Sequence, residues 1–284
     1  MKIRSIFDDE SLHILEAGVA LDFVTEVNAR IKSFYRKRDL SNFAELFYSE
    51  EEWCSTKVQP RISAEENIMF LDLSMALEQK NINKIICEVN LLLGAPKIKM
   101  FLPRLICTLP QIYIPEWVKN KNIAQNARYG NLNLYIKKQF RGVFYFSHNP
   151  LHQDIIDMPL AKDNFISCLI PLGDRSGPNA PLIFSETHSG KNILKPPFYP
   201  DFQISDIKSP IELKNNGGFE VEREGLYKFF RPKINSCSCL LWDAFKLHKV
   251  FENTSTEPVF NLRYSFSDID VSYFINDPKN IIEF

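Results

Sequence analysis

A histidine and an aspartate stand two positions apart in the sequence Leu151-His152-Gln153-Asp154. In an extended segment residues i and i+2 project to the same side, so the His152 imidazole and the Asp154 carboxylate can reach one metal ion. A chain with five histidines contains a His-x-Asp pair by chance in roughly a quarter of cases. The pair therefore indicates a metal centre only together with a third ligand.

His248 is the best candidate for that third ligand. It lies in an apolar run, residues 247–251, which is followed by a polar segment, residues 252–258, and by a second β-rich run, residues 259–266. This pattern predicts a β-hairpin. With the turn in the middle of the polar segment and no bulge, His248 lies directly opposite Arg263, and both side chains point into the same space.

The two faces of this predicted hairpin differ in polarity. Period-two alternation puts three further residues on the face of His248 and Arg263, namely Val250, Asn261 and Ser265. The opposite face carries the apolar residues Leu247, Phe251, Leu262 and Phe266. One polar and one apolar face are what a barrel with an internal site requires.

Two neutral imidazoles and one carboxylate form the ligand set that binds Fe(II) and leaves three positions open for a cosubstrate and dioxygen. Arg263 fits this chemistry, because its planar, always charged guanidinium can bind the free carboxylate of a dicarboxylic cosubstrate that chelates iron at its other end. Ser265 can add a hydroxyl donor. We therefore predict His152, Asp154 and His248 as metal ligands and catalytic residues, with Arg263 and Ser265 binding the cosubstrate.

Short β-rich runs follow one another after about residue 130 and must position these side chains. The predicted strands are Leu132 to Ile136, Gly142 to Ser147, Phe165 to Pro171, Leu182 to Ser185, Leu226 to Phe230, Ser238 to Trp242, Leu247 to Phe251 and Val259 to Phe266. Loop-like stretches lie between some of them, at residues 173–181 and 191–210. Eight short strands predict an eight-stranded jelly roll.

The first third of the chain has helical patterns instead. Apolar residues between Ile14 and Ile31 recur on one face, and Ser63-Ala64-Glu65-Glu66 has the spacing of a capping box that opens a second helix. A third helix, Ile82 to Leu93, ends at Gly94 with Pro96 just beyond. We expect a single domain over residues 1–284, with a helical flank at about 1–125 packed outside a β core at about 126–275.

Charge and composition exclude several classes of protein. The 284 residues carry 34 Lys+Arg and 35 Asp+Glu, a net charge of −1, which leaves no excess for a nucleic-acid surface. The basic run at residues 32–38 is interpreted as a solvated helix end. The first residues lack an apolar signal core, and no apolar run approaches the roughly 20 residues of a membrane span. We expect a cytoplasmic protein with reduced cysteines and a small-molecule substrate as its partner, its oligomeric state remaining open.

Taken together, these motifs resemble the Fe(II)/2-oxoglutarate-dependent dioxygenases, and within them the phytanoyl-CoA dioxygenase type. The resemblance covers about residues 130–270 and rests on Leu151-His152-Gln153-Asp154, the strand Phe165 to Leu172, Ser185-Glu186-Thr187-His188-Ser189-Gly190, Trp242-Asp243 leading to His248, and Asn261-Leu262-Arg263-Tyr264-Ser265. It implies a double-stranded β-helix, a jelly-roll or cupin-like barrel flanked by N-terminal helices. It also implies Fe(II), 2-oxoglutarate and O2 as cofactor and cosubstrates, with succinate and CO2 as coproducts.

Two details of the resemblance bear on activity. Family members often have Pro-Gly before the Ser-His of the mid-barrel loop, whereas here Ser185 and Glu186 precede Thr187-His188. Asp154 stands where halogenating relatives carry a small residue, so the resemblance favours hydroxylation over halogenation. Carried over by position, it makes His152, Asp154 and His248 the iron ligands and has Arg263 bind the 2-oxoglutarate side carboxylate.

Other residues are assigned weaker roles. His188 is expected to cap a loop or face substrate, and His148 and His13 to lie outside the metal shell, His13 in the N-terminal helix. Cys237 and Cys239 are expected to be small buried hydrophobes. Candidate substrate contacts are Tyr129, Tyr135, Phe144 and Phe146.

Two alternative functions fit parts of the pattern. A non-catalytic cupin-like protein that binds a small molecule would share the barrel, but intact Asp154 and Arg263 argue against it. A zinc-dependent hydrolase could use the same three ligands, but it would leave Arg263 without a purpose.

Overall fold

The structure is a computed structural model, and it describes residues 12–55, 74–95, 97–124, 130–154, 165–173, 179–186, 209–213, 225–268 and 281–283. Within these ranges the chain forms a seven-stranded sheet, a four-stranded sheet, a two-stranded sheet and several helices. We call the first two the major and the minor sheet. The fold is mixed α/β with a jelly-roll-like core.

The regular elements are numbered in chain order. The helices are α1 (Leu21–Arg36), α2 (Glu50–Ser55), α3 (Gln79–Leu93) and α4 (Glu116–Ala124), with short 3-10 turns at residues 43–46, 74–77, 111–113, 133–135 and 138–140. The strands are β1 (Leu12–Leu15), β2 (Lys99–Thr108), β3 (Phe144–Phe146), β4 (Asn149–His152), β5 (Phe165–Pro171), β6 (Leu182–Ser185), β7 (Ile211–Leu213), β8 (Gly225–Tyr227), β9 (Phe229–Phe230), β10 (Cys239–Asp243), β11 (His248–Val250), β12 (Val259–Ser267) and β13 (Ile281–Glu283). None of the described helices is long and apolar enough to cross a membrane.

The strand order of the two larger sheets is consistent with a jelly-roll-like core. The major sheet runs β1-β10-β5-β12-β2-β13, with β3 also paired to β2, and the minor sheet runs β4-β11-β6-β9. Along the chain β2, β5, β10 and β12 lie in the major sheet, whereas β4, β6, β9 and β11 lie in the minor sheet. Most connections between these strands therefore cross from one sheet to the other.

The helices pack on the outer face of the major sheet. Apolar side chains of α1 and α3 share one buried cluster with Leu262 and Tyr264 of β12. Burial contributes about 1.5–3 kcal/mol for each large apolar side chain. Because side chains alternate along a strand, this packing turns Asn261, Arg263 and Ser265 to the inner face, as the sequence predicts.

The inner faces of the two sheets meet in a second, smaller cluster. It contains three residues of the major sheet and two of the minor sheet, namely Leu169, Leu240 and Trp242 with Leu182 and Phe184. The rings of Phe184 and Trp242 lie 5.4 Å apart in an edge-to-face arrangement. The sheets therefore enclose a mostly apolar interior in which the polar side chains of β12 stand out.

The predicted hairpin between His248 and Arg263 is wrong. Strand β11 pairs with β4 and β6 in the minor sheet, while β12 pairs with β2 and β5 in the major sheet. The connecting segment is a crossover that buried Asn253 ties to the end of β2. Its Nδ2 donates to the carbonyls of Thr108 at 3.2 Å and of Glu257 at 2.8 Å.

Other elements agree with the sequence prediction or depart from it for local reasons. Strands β5 and β6 have the predicted bounds, and the third helix ends at Gly94. Within the strand predicted at Leu132 to Ile136, Asn133–Tyr135 form a 3-10 turn because Asn131 Oδ1 accepts from the Asn133 N–H and Asn133 Oδ1 accepts from the Tyr145 N–H.

Two regions of the N-terminal third differ from its predicted helical character. Leu12–Leu15, which overlap the start of the helix predicted from Ile14, form β1 and pair with β10, and β2 was not predicted from the sequence. Most of the helix predicted after Ser63, and the loop at 191–208, lie outside the described residues.

Two glycines with positive φ offer a matched test of how the β3–β4 region is built. Gly94 has φ 59° and no atom within 4 Å of an added Cβ, whereas at Gly130, φ 55°, that Cβ would lie 2.5 Å from the His148 carbonyl oxygen. We expect Gly94→Ala to lower the free energy of unfolding by about 1 kcal/mol, the cost of the left-handed backbone. Gly130→Ala should cost about 3 kcal/mol, because the clash adds to that strain. Urea denaturation of both variants measures the difference, and equal losses would contradict the close packing at Gly130.

Candidate metal centre

The three predicted ligands are brought together by the minor sheet. His152 ends β4 and His248 begins β11, and these neighbouring antiparallel strands place the two histidines directly opposite each other. Their ring centroids lie 4.1 Å apart. Asp154 follows two residues after His152, and all three side chains are buried.

The ligand atoms of these residues converge. Nε2 of His152 lies 3.4 Å from Oδ1 of Asp154, and Nε2 of His248 lies 3.6 Å from the same oxygen. One candidate ligand atom from each of the three residues lies within 4.8 Å of the other two. They can therefore bind one ion together, as the sequence predicts.

Backbone carbonyls set the tautomer of both histidines. Nδ1 of His152 lies 2.7 Å from the Pro150 carbonyl oxygen, and Nδ1 of His248 lies 2.9 Å from that of Lys246. A carbonyl oxygen only accepts, so in each ring Nδ1 carries the hydrogen and Nε2 keeps a lone pair toward Asp154. Burial, followed by the neighbouring His152, lowers the pKa of His248 to about 3, which keeps this ring neutral and able to bind a metal.

Asp154 is held as a carboxylate by its surroundings. Burial by itself raises its pKa, but the neighbouring positive charge of the Arg263 guanidinium outweighs burial and holds the pKa well below its usual range. Trp242 Nε1 donates a hydrogen bond to Oδ2 at 3.0 Å. Oδ1 accepts no hydrogen bond of good geometry among the described residues, although Arg263 Nη2 lies 2.6 Å away.

This donor set fits a divalent transition metal. Two imidazole lone pairs and one carboxylate oxygen face a common point, and the carboxylate supplies the negative charge that a cation needs. The histidine Nδ1 hydrogens and the second carboxylate oxygen are already engaged, which orients the three ligand atoms before an ion arrives.

Arg263 approaches this point from the opposite sheet. It lies on the inner face of β12, opposite Leu169 of β5 and Arg104 of β2, and reaches Asp154 across the interior. His248 and Arg263 thus face the same carboxylate even though they are not partners in a hairpin. Ser265, the next residue on the inner face, lies opposite Ser167.

Besides Oδ1 of Asp154, three polar atoms in this region are buried and without a hydrogen bond in the part of the chain that the structure describes. They are Oγ of Ser167, Oδ1 of Asn261 and Oδ1 of Asn149. The Asn149 amide nitrogen lies 3.1 Å from Nε2 of His152, the nitrogen that faces Asp154.

Roles for Ser167, Asn149 and the Trp242 indole were not predicted from the sequence. The sequence contained an indication for Ser167, because its hydroxyl is the only one in the otherwise apolar strand β5. The contact of Trp242 with Asp154 joins residues 88 positions apart, and no sequence pattern indicated it.

The histidines predicted to lie outside the metal shell do so where the structure describes them. His148 contacts the Ser147 hydroxyl at 2.9 Å. His13 forms an ion pair with Glu88 at 3.2 Å, but it lies in β1, so its predicted place in a helix is wrong. His188 lies outside the described residues.

The structure also places the cysteines and aromatic residues considered in the sequence. Cys239 is fully buried, with its sulfur 3.1 Å from that of Cys168, while Cys237 is half-buried, and all described cysteines are free thiols. Tyr135 packs against Trp53 and Trp117 in the core, so its predicted substrate contact is wrong.

The remaining aromatic candidates stay predictions. Phe144 and Phe146 pair with Ile106 and Thr108 of β2, which puts them on the inner face together with Arg104. The Arg104 guanidinium carbon lies 5.4 Å from the Phe144 ring centroid. Tyr129 lies outside the described residues.

No family model and no curated protein matches the sequence. Among solved structures, the non-heme alpha ketoglutarate dependent epimerase SnoN from nogalamycin biosynthesis is similar, with a TM-score of 0.53, 10% identity, and coverage of 95% of this chain and 86% of SnoN. SnoN in complex with Fe3+, alpha ketoglutarate and nogalamycin RO gives a TM-score of 0.52 at 10% identity, with coverage of 95% and 86%. The carbocyclase SnoK of the same biosynthesis gives 0.51 at 10% identity, with coverage of 92% and 80%. At 10% identity, the similarity to these structures shows a shared fold. The resemblance predicted from the sequence is therefore confirmed for the fold.

The hydrogen bond from Trp242 to Asp154 should tune metal affinity. Trp242→Phe removes the donor to Oδ2, so we expect the dissociation constant for Fe(II) to rise about tenfold, the lower end of the usual effect for groups that orient metal ligands. Anaerobic calorimetric titration measures it. Trp117→Phe, which makes the same truncation in the Trp53–Tyr135 cluster, is the control. Equal affinities of the two variants would show that the indole does not act on Asp154.

Proposed function

We propose that this protein is a non-haem Fe(II)/2-oxoglutarate-dependent oxygenase that hydroxylates a small organic or lipid/sugar-type substrate, with succinate and CO2 as coproducts. One observation carries the proposal. Two imidazole lone pairs and a carboxylate oxygen converge on one point, and a guanidinium reaches the same carboxylate from the opposite sheet. A zinc hydrolase would account for the three ligands but not for Arg263.

In this proposal each side chain has a defined task. His152, Asp154 and His248 hold the Fe(II), which when bound supplies the site where 2-oxoglutarate and O2 are used to oxidise a C–H bond. The carbonyls of Pro150 and Lys246 keep the imidazoles aimed. The Arg263 guanidinium, together with the Ser265 hydroxyl, binds the far carboxylate of 2-oxoglutarate.

The apolar interior supports these tasks by excluding water. Leu169, Phe184 and Trp242 are buried next to the metal centre, and the Phe184 ring stacks 5.6 Å from the His248 ring. Exclusion of water strengthens the attraction between charged groups inside the site and protects reactive species.

The proposal also includes the shape and extent of the protein. The alternation of β2, β4, β5 and later strands between the two sheets supports a closed double-stranded β-helix. We propose that residues 1–284 form a single domain and that the protein acts in the cytoplasm.

The structural neighbours support the proposed cosubstrate more strongly than the proposed reaction. SnoN is named as an epimerase and SnoK as a carbocyclase, and both are named as alpha ketoglutarate dependent. Because these outcomes differ from hydroxylation, our choice of hydroxylation rests on Asp154, whose carboxylate occupies the place that halogenation requires to be open.

Succinate formation tests the proposed function. Protein reconstituted anaerobically with Fe(II) is mixed with 2-oxoglutarate and candidate substrates and then exposed to O2, and succinate is quantified. We expect succinate only when Fe(II), 2-oxoglutarate and O2 are all present. Zinc-loaded protein is the control, and hydrolysis by that form without decarboxylation by the iron form would overturn the proposal.

A further inference from the structure

Ser167 is a fully buried serine whose hydroxyl has no partner among the residues that the structure describes. It lies in β5, where all seven residues are buried. A hydroxyl hidden from water without a hydrogen bond is unfavourable, so such a group in a folded protein calls for an explanation.

The position of Ser167 places it beside the cosubstrate-binding residues. It is directly opposite Ser265 of β12 on one side and Trp242 of β10 on the other. Residues directly opposite each other in antiparallel strands have Cβ atoms about 4.5–5.5 Å apart and point to the same face. The hydroxyls of Ser167 and Ser265 can therefore both reach one group of carboxylate size.

Ser167 also belongs to a continuous group of polar side chains on the inner face. Trp242 donates to one oxygen of Asp154 at 3.0 Å, and Arg263 lies 2.6 Å from the other. Ser167 and Ser265 connect these two residues through neighbouring positions of β10, β5 and β12. A ligand group held here is next to the metal centre.

The hydrogen-bond donors of Arg263, Ser167 and Ser265 determine which ligand group can bind beside them. Guanidinium offers only donors, and two hydroxyls beside it can donate as well, so the group that satisfies all three must accept several hydrogen bonds. Leu169, which lies opposite Arg263, presents an apolar surface next to it. A carboxylate at the end of a short methylene chain has both properties.

We infer that Ser167 binds the far carboxylate of 2-oxoglutarate together with Arg263 and Ser265, an inference that rests on the proposed function. Its hydroxyl, which has no partner among the described residues, donates to a carboxylate oxygen when the cosubstrate is bound. Ser167 thus contributes to the preference for a dicarboxylic over a monocarboxylic 2-oxo acid.

Two ligands of the same length test this role. Full-length protein loaded with Mn(II) is titrated by calorimetry with 2-oxoglutarate and with 2-oxopentanoate, in which a methyl group replaces the far carboxylate. We expect Ser167→Ala to weaken 2-oxoglutarate binding roughly tenfold or more and to leave 2-oxopentanoate binding within about twofold. Ser167→Cys, which keeps the size of the side chain with a weaker donor, should give an intermediate loss.

Ser238→Ala is the matched control, since Ser238 is a buried serine in the turn before β10. It should leave both affinities unchanged. If Ser167→Ala weakens both ligands equally, or neither, Ser167 has no contact with the far carboxylate and the inference is wrong. If the unaltered protein binds neither ligand, the proposed function itself fails.

Discussion

Asp154→Ala abolishes Fe(II) binding and turnover if the metal centre is as proposed. The substitution removes the one negative ligand and leaves two neutral imidazoles, which do not offset the charge of a divalent ion. Because groups that only orient ligands change metal affinity about 10- to 100-fold, loss of the carboxylate should raise the dissociation constant by more than about 100-fold. Anaerobic calorimetry with Fe(II) measures this, and succinate formation should fall to background.

The control for this variant is Asp22→Ala, which removes an exposed carboxylate from the first turn of α1. It should leave metal affinity unchanged. Asp154→Asn keeps the shape of the side chain without its charge and should resemble Asp154→Ala in metal affinity. Fe(II) affinity of Asp154→Ala equal to that of the unaltered protein would place the metal elsewhere.

Arg263→Ala should act mainly on cosubstrate binding, with a smaller effect on metal binding because Arg263 Nη2 also lies 2.6 Å from Oδ1 of Asp154. The Arg263 side chain is less than one-fifth exposed, with 18% of its surface accessible. Truncating one partner of a largely buried, hydrogen-bonded charge pair costs 2–5 kcal/mol or more, so we expect the dissociation constant for 2-oxoglutarate to rise about 100-fold. Calorimetric titration of the Mn(II)-loaded variant with 2-oxoglutarate measures this change.

Two comparisons make the result specific. Arg263→Lys keeps the charge but loses the planar fork, so affinity should recover only in part. Arg104→Ala removes the exposed arginine directly opposite Arg263 and should weaken binding by less than about threefold, because exposed charges are screened. Unchanged 2-oxoglutarate affinity in Arg263→Ala would show that this residue does not bind the cosubstrate.

The local parts of the fold and of the site could be predicted from the sequence. Strand β5 is a continuous apolar run bounded by polar residues, and the third helix ends at a glycine in the left-handed conformation, so both have local signals. The close approach of the His152 and Asp154 side chains follows from their spacing in an extended segment, which is also a local signal.

The pairing of strands could not be predicted in the same way. A polar segment between two β-rich runs is compatible with a hairpin or with a crossover, and the observed crossover is held by tertiary contacts such as that of Asn253 with Thr108, 145 residues away in the chain. His248 and Arg263 nevertheless face the same carboxylate, because the inward faces of their strands were assigned correctly. Alternation determined the faces, whereas tertiary packing determined the partners.

The surroundings of the ligands depend on tertiary structure to an even greater degree. Neither the indole of Trp242 on Asp154 nor the Pro150 and Lys246 carbonyls on the histidines follow from spacing between the ligands. Two asparagines, Asn131 and Asn133, replace a predicted strand by a turn through side-chain hydrogen bonds that compete with sheet formation.

Anomalous diffraction at the iron edge, from a crystal soaked anaerobically with Fe(II) and 2-oxoglutarate, tests the central claim most directly. We predict one anomalous peak bound by Nε2 of His152, Nε2 of His248 and Oδ1 of Asp154. Electron density for 2-oxoglutarate should run from that peak to the Arg263 guanidinium. An iron peak away from these three atoms, or 2-oxoglutarate bound without contact to Arg263, would contradict the account.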